Sequence, residues 1–271
     1  MTTKIFILIF FIGLITVNSQ TINKDKLTIG EQLKIHSNIL DETRLLNIYL
    51  PSSYNTSSTK QYPVIYLLDG SLNEDFIHIS GLVQFCSFSW INIIPESIVV
   101  GISNIDRKRD FTFPSKHELD MIEFSTSGGS ERFIDFIENE LKPIIEDTYR
   151  TSATSTIIGQ SLGGLLLTEV VFKKPDLFDN YIIVSPSLWW DNESLLKVEL
   201  CDSLNEKKVY IAVGKEGAVM EKLAYSLYSK LLNYQIKTPS LDVSFKYFEN
   251  QNHGDTLHLA VYDAFETFNK K

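Results

Sequence analysis

Short apolar runs punctuate the chain, and their spacing sets an architecture before any single residue is considered. Gln32 to Ile39 and Arg44 to Leu50 read as strands joined by Leu40-Asp41-Glu42-Thr43, which predicts a hairpin. Further runs follow at Val64 to Leu68, Ile98 to Ile102, Thr156 to Ile158, Tyr181 to Val184, Val209 to Val213 and Val243 to Tyr247. The segments between them are mostly long and carry helical periodicity. Strand alternating with helix predicts a mostly parallel sheet of about eight strands with helices on both faces, since parallel neighbours need long crossovers. The clearest helix spans Glu131 to Tyr149, where Phe133, Phe136, Ile137, Leu141, Ile144 and Ile145 recur at three- and four-residue steps. Pro143 predicts a kink in it. Phe111 to Gly129 and Ser187 to Glu193 read as loops.

The first residues have a different pattern. Lys4, the apolar run Ile5 to Val17 and the polar stretch Asn18-Ser19-Gln20 fit a secretory signal, with Val17 and Ser19 at the small-residue positions before the cut. Residues 1–19 are therefore expected to be a signal peptide and 20–271 a single α/β domain, secreted or periplasmic and free of the membrane after cleavage. An uncleaved anchor is the rival reading. A net charge of -9 argues against nucleic acid as a partner, and 44% hydrophobic with 22% charged residues fits a globular chain. The two cysteines, Cys86 and Cys201, are expected as buried thiols rather than a bridge. No metal-ligand cluster is present, so neither cofactor nor metal is expected.

Candidate chemistry centres on Gly159-Gln160-Ser161-Leu162-Gly163-Gly164, which follows a β-branched run and leads into the apolar segment Leu165 to Phe172. A serine between strand and helix, with glycines two residues to either side, predicts a turn too tight for a Cβ at those flanking positions. Such an elbow exposes Ser161 at a helix N-terminus, where backbone N–H groups favour a developing oxyanion. A serine hydroxyl needs a base, and His253 lies in a polar loop after the last predicted strand. His36, His78, His117 and His258 are worse placed. Hydrolases with this elbow run serine, acid, histidine along the chain, which points to Glu216 in Gly214-Lys215-Glu216-Gly217; Glu221 and Asp255 are its rivals. The backbone N–H groups of Leu162 and of Ser71, after the Asp69-Gly70 turn, are the expected oxyanion donors.

These motifs resemble the Putative esterase family of the α/β-hydrolase superfamily, which includes esterase D, siderophore trilactone esterases and mycolyltransferases. The resemblance extends over nearly all of the chain after the signal. It takes in Tyr66-Leu67-Leu68-Asp69-Gly70, Gly101-Ile102-Ser103-Asn104, Asp106 to Thr112, Glu140 to Ile145 and Ser185-Pro186-Ser187-Leu188-Trp189-Trp190. It implies an α/β-hydrolase fold and a carboxylic ester hydrolase working through an acyl-enzyme on a small-molecule ester. The last two of these motifs resemble the branch that cleaves the ester backbones of catecholate trilactones. Phe113 departs from that branch, which often has proline there. Arg107 and Arg109 suit an anionic or catecholate ligand, and Trp189 and Trp190 offer an aromatic wall, although adjacent tryptophans cannot both face one way. An acyltransferase with the same triad and a non-catalytic binding module on the same fold are the alternatives.

Overall fold

The computed structural model describes residues 22–200 and 204–269. The expected signal peptide and Cys201 lie outside them. Among the described residues, eight strands form one sheet in the order β1-β2-β4-β3-β5-β6-β7-β8. The first pair, β1 (Gly30–Ser37) and β2 (Glu42–Tyr49), is the expected hairpin, with Asp41 at φ 56° taking the left-handed step in its turn. β2 also pairs antiparallel with β4 (Ile98–Ile102). All other pairings are parallel, among β3 (Tyr62–Leu67), β4, β5 (Thr151–Gln160), β6 (Asn180–Val184), β7 (Lys208–Gly214) and β8 (Asp242–Phe248).

The central strands are apolar without interruption because helices cover both faces. On one face, α1 (Phe76–Ser87) and α9 (Leu257–Phe268) pack over Ile65, Leu67, Ile182, Val184, Tyr210 and Ala212. On the other, α6 (Leu162–Lys173) and α8 (Ala218–Gln235) cover Val64, Tyr66, Tyr181, Ile183, Val209 and Ile211. Successive strand residues thus enter opposite cores, as the two-residue period of a strand requires. Cys86 is a free, buried thiol in the first of these cores, and burial, with Glu266 nearby, pushes it up to about 11, so it is held protonated.

Three segments differ from the expectations. The helix over 131–149 is divided into α4 (Ser130–Phe136) and α5 (Lys142–Thr148) by a π-helical stretch, Ile137–Leu141. Pro143 has no N–H to give to the preceding turn, and the wider stretch ahead of it absorbs the mismatch in place of a break. The region expected as a loop from Phe111 to Gly129 begins at the end of α2 (Arg107–Phe111) and carries α3 (Glu118–Glu123). Ser187 to Glu193 ends in a short turn, α7 (Trp190–Glu193), in which Asp191, Asn192 and Glu193 have φ of 49°, 52° and 61°.

A buried ion-pair network ties the hairpin to α2. Arg44 on β2, 1% exposed, pairs with Glu42 and, at 2.6 Å, with Asp110, itself 1% exposed. Arg109 reaches the same two carboxylates at 2.7 and 2.8 Å. The Arg44 guanidinium also lies over the ring of Phe133, 5.2 Å from its centroid. Removing one partner of such a pair leaves an uncompensated buried charge. Asp110→Ala is accordingly expected to lose about 3–5 kcal/mol in urea denaturation; a loss below about 1 kcal/mol would show that the network does not hold the hairpin.

Candidate active site

β5 stops at Gln160, α6 starts at Leu162, and Ser161 makes the whole connection at φ 58°, ψ −119°, a conformation that L-residues avoid. Close packing enforces it. A Cβ on Gly159 would lie 2.9 Å from the Gly163 carbonyl, and one on Gly164 would lie 2.9 Å from Pro186 Cα and 3.0 Å from the Val184 carbonyl oxygen. Gly163 is less constrained, with Leu68 at 3.4 Å, so the tight contacts are at Gly159 and Gly164. Backbone bonds from Ser161 N–H to Val184 O and from Ser187 N–H to Ser161 O, both 3.0 Å, close the turn. The Ser161 hydroxyl stands 3.3 Å from Ser187 Oγ.

The Glu216 carboxylate, 2% exposed, meets His253 Nδ1 at 2.5 Å. An ionised carboxylate only accepts, so Nδ1 carries the proton and Nε2 keeps its lone pair. Glu216 Oε1 accepts from Ser185 Oγ at 2.5 Å and from Gly214 N–H at 2.9 Å. Burial opposes ionisation of Glu216, but the hydrogen bonds from His253, Ser185 and Gly214, with the His253 charge, outweigh it and leave the carboxyl below its ordinary value. The two rival acids shape the loops. Glu221 accepts from the N–H groups of Glu216 and Gly217 at 3.0 Å each, and Asp255 accepts from Asn252 N–H at 2.6 Å. Gln160, beside the elbow, donates to the His253 carbonyl at 2.5 Å. Among the other histidines, His117 faces Asp120 and His78 packs on His258.

The two expected oxyanion donors differ in state. Leu162 is the first residue of α6, where helix geometry leaves its N–H without an intrahelical acceptor. Ser71 N–H is engaged by Glu74 Oε2 at 3.3 Å. Its turn is possible because a glycine pair lets two chain segments touch: a Cβ on Gly70 would come within 2.4 Å of Gly101 Cα. Asp75, next to this turn, is pushed up to about 6 by burial and by the charges of Asp69 and Glu74.

The residues expected to contact substrate are placed otherwise in three cases. Arg107 grips Asp69 with two bonds of 2.6 and 3.0 Å and reaches the Gln160 carbonyl at 3.2 Å, so it braces the Asp69-Gly70 turn against the elbow. Arg109 is committed to Glu42 and Asp110, in the network described above. Trp190 is fully buried and donates Nε1–H to the Phe113 carbonyl at 2.9 Å, which places it in the core. Trp189 is partly exposed and packs on Phe124, with ring centroids 5.9 Å apart. Ser185, Ser187, Gln160 and Glu74 were given no role of their own by the sequence reading, although the first three fall within its quoted motifs; all four are polar residues at or beyond the carboxyl ends of strands.

Sheet order, a strained serine between strand and helix, and a later histidine held by a carboxylate are the marks of an α/β-hydrolase, and this protein is a serine ester hydrolase of that class. Residues 37–255 match the Putative esterase family, to which the chain belongs. The ferri-bacillibactin esterase BesA of Bacillus subtilis is 30% identical over 247 residues, covering 83% of this chain and 84% of that protein. The siderophore triacetylfusarinine C esterase of Aspergillus fumigatus is 37% identical over 90 residues, 32% of this chain and 28% of that one. The structure of an IroE-like serine hydrolase from Shewanella oneidensis superposes with a TM-score of 0.78 at 30% identity, covering 89% of this chain and 80% of that chain.

The elbow strain can be measured without reference to activity. Ser161→Ala and Ser161→Gly both lack the hydroxyl, but only glycine accepts the backbone angles freely. Ser161→Gly is expected to be the more stable of the two by about 1 kcal/mol in urea denaturation; an alanine variant of equal or greater stability would mean the turn is unstrained.

Proposed function

We propose that this enzyme hydrolyses siderophore-type esters, with Ser161 as nucleophile, His253 as general base and acid, and Glu216 as the acid of the triad. The observation that carries the triad is the 2.5 Å bond between Glu216 and His253 Nδ1, which aims the free Nε2 lone pair away from the carboxylate. Ser161 Oγ attacks the ester carbonyl carbon as His253 Nε2 takes its proton, and the carbonyl π electrons move onto oxygen. Leu162 N–H and Ser71 N–H receive that oxyanion, which replaces Glu74 at Ser71. Collapse expels the alcohol, protonated by His253. Water, deprotonated by the same nitrogen, then releases the acid and restores Ser161.

The substrate class is supported by the relatives named for ferri-bacillibactin and triacetylfusarinine C ester cleavage, the first of them along most of its length. Trp189, two residues beyond Ser187 in the chain, packs on Phe124 and with it offers aromatic surface. Among the candidate ligand contacts, Arg107 and Arg109 are already paired with carboxylates, so aromatic stacking is the better supported mode of holding a catecholate group. Export is part of the same proposal, carried by the sequence from Lys4 to Gln20.

The decisive assay is hydrolysis of short and medium nitrophenyl esters and of a catecholate trilactone by wild type and Ser161→Ala. Serine-dependent cleavage with the trilactone preferred is the expected result; cleavage of simple esters alone would discard the substrate. For export, the intact mass of protein recovered outside the cytoplasm should match a chain beginning at Gln20, and a full-length mass there would overturn the cleavage.

A further inference from the structure

One short segment touches two of the three residues assigned above. Ser185 Oγ donates to Glu216 Oε1 at 2.5 Å, and Ser187 Oγ lies 3.3 Å from Ser161 Oγ. Pro186, between them, packs against the start of α6 where Gly164 leaves room. Ser185 itself is fully buried and sits at φ 45°, with its N–H donated to Ala212 O at 2.7 Å. A non-glycine residue persists in that region only where its surroundings over-determine it, and glycine would meet the backbone demand at less cost. The side chain is therefore the part that calls for an explanation.

We propose that Ser185 is a positioning residue, which acts on the chemistry by fixing the Glu216 carboxylate and, through it, the His253 ring. The proposal rests on the triad reading given above. Its physical basis is the division of labour on the carboxylate. Oε2 serves His253, while Oε1 is filled by the Ser185 hydroxyl and the Gly214 N–H. A glutamate has one more rotatable bond than an aspartate, so a single anchor would leave its carboxylate free to swing. The His253 side chain is 47% exposed, and the Gln160 contact holds its backbone carbonyl rather than its ring. The bond to Glu216 Oε2 orients the imidazole, and Glu216 is in turn held by Ser185 Oγ and Gly214 N–H, of which Ser185 is the side-chain donor.

The electrostatic consequence has a definite sign. The Ser185 hydrogen bond favours ionised Glu216. Without it the carboxylate becomes more basic, holds a protonated His253 more strongly, and shifts the acid limb of the kcat/KM profile to higher pH. A serine that only filled space would leave that limb in place.

The experiment compares Ser185→Ala, Ser185→Gly, Ser185→Asn, Glu216→Ala and the double variant Ser185→Ala/Glu216→Ala on a short nitrophenyl ester, with thermal melting as the fold check. Ser185→Ala and Ser185→Gly are each expected to lose about tenfold in kcat, the scale of one hydrogen bond to a charged group, with KM nearly unchanged and the acid limb raised. Ser185→Gly relieves the backbone and should melt no lower than Ser185→Ala, which separates the lost hydroxyl from misfolding. Asparagine tolerates the left-handed region and offers a donor, so it should recover part of kcat. In the Glu216→Ala background, Ser185→Ala should add almost nothing. Wild-type kcat and an unmoved acid limb in Ser185→Ala and Ser185→Gly, alongside an impaired Glu216→Ala, would overturn the positioning role and leave the triad standing. A full additive loss in the double variant would overturn it as well. Wild-type activity in Glu216→Ala would instead overturn the triad reading.

Discussion

The site depends on one backbone constraint: Ser161 is held at φ 58° because the chain around it is too close-packed to turn any other way. Gly159, Gly164 and Pro186 make contacts that admit no extra atom, and the backbone bonds to Val184 and Ser187 close the turn against β6 and the loop after it. Conformational strain of this kind costs of order 1–3 kcal/mol and survives only when paid for by surrounding structure. Here that structure is the paired, doubly covered sheet, whose strands β3, β5 and β6 are buried on both faces. The rigid core keeps the Ser161 hydroxyl at the carboxyl end of a central strand, one residue before a helix N-terminus.

Carboxylates organise what surrounds the elbow, and each is matched to its own donor set. Asp69 holds Arg107, which in turn touches Gln160 beside Ser161. Asp120 and Asp191 stitch the loop after β4 to the loop after β6: Asp191 N–H donates to Asp120 at 2.8 Å, and Asp191 accepts from Lys116 N–H at 2.7 Å. Glu216 is fixed by Ser185, Gly214 and His253. Side chains that look like ligand contacts by type are structural when their charge is already met. Arg107 and Arg109 are each paired with carboxylates in this way, with 33% of each side chain still exposed.

The strand positions were legible in the sequence because strands buried on both faces leave unbroken apolar runs; Ile98 to Ile102 is the observed β4 to the residue. The turn at Ser161 and the two loops that bring His253 and Glu216 together were legible for a related reason. Each follows a readable strand at its carboxyl end, and chain order restricts the choice. What the sequence did not carry was orientation. Nothing in the adjacent pair Trp189-Trp190 tells which ring enters the core, and that is settled by the Phe113 carbonyl accepting from Trp190 Nε1–H. The contact of Ser185 was equally hidden: its motif was visible, but a serine after a strand reads as a turn residue, and its partner Glu216 lies 31 positions away. The π-helical stretch before Pro143 was hidden too, because an extra residue in a helical turn barely alters the apolar period.

The resting geometry also bears on selectivity. Ser161 Oγ is turned to Ser187, and Ser71 N–H is turned to Glu74, each at 3.3 Å, the long end of a hydrogen bond. Neither group is yet committed to chemistry, and both contacts are weak enough to be exchanged when an ester carbonyl arrives. The Glu74 carboxylate is exposed, so it can be returned to water without a large desolvation cost. An ester held by other contacts brings its carbonyl to these groups at high effective concentration, whereas a small unanchored ester must displace both by chance collision. On the proposed roles, interactions distant from the scissile bond therefore govern how often Ser161 Oγ and the Ser71 N–H meet the carbonyl together. On the reading proposed above, the surface available for such contacts is in the loops after β4 and β6, where Phe124 and Trp189 meet.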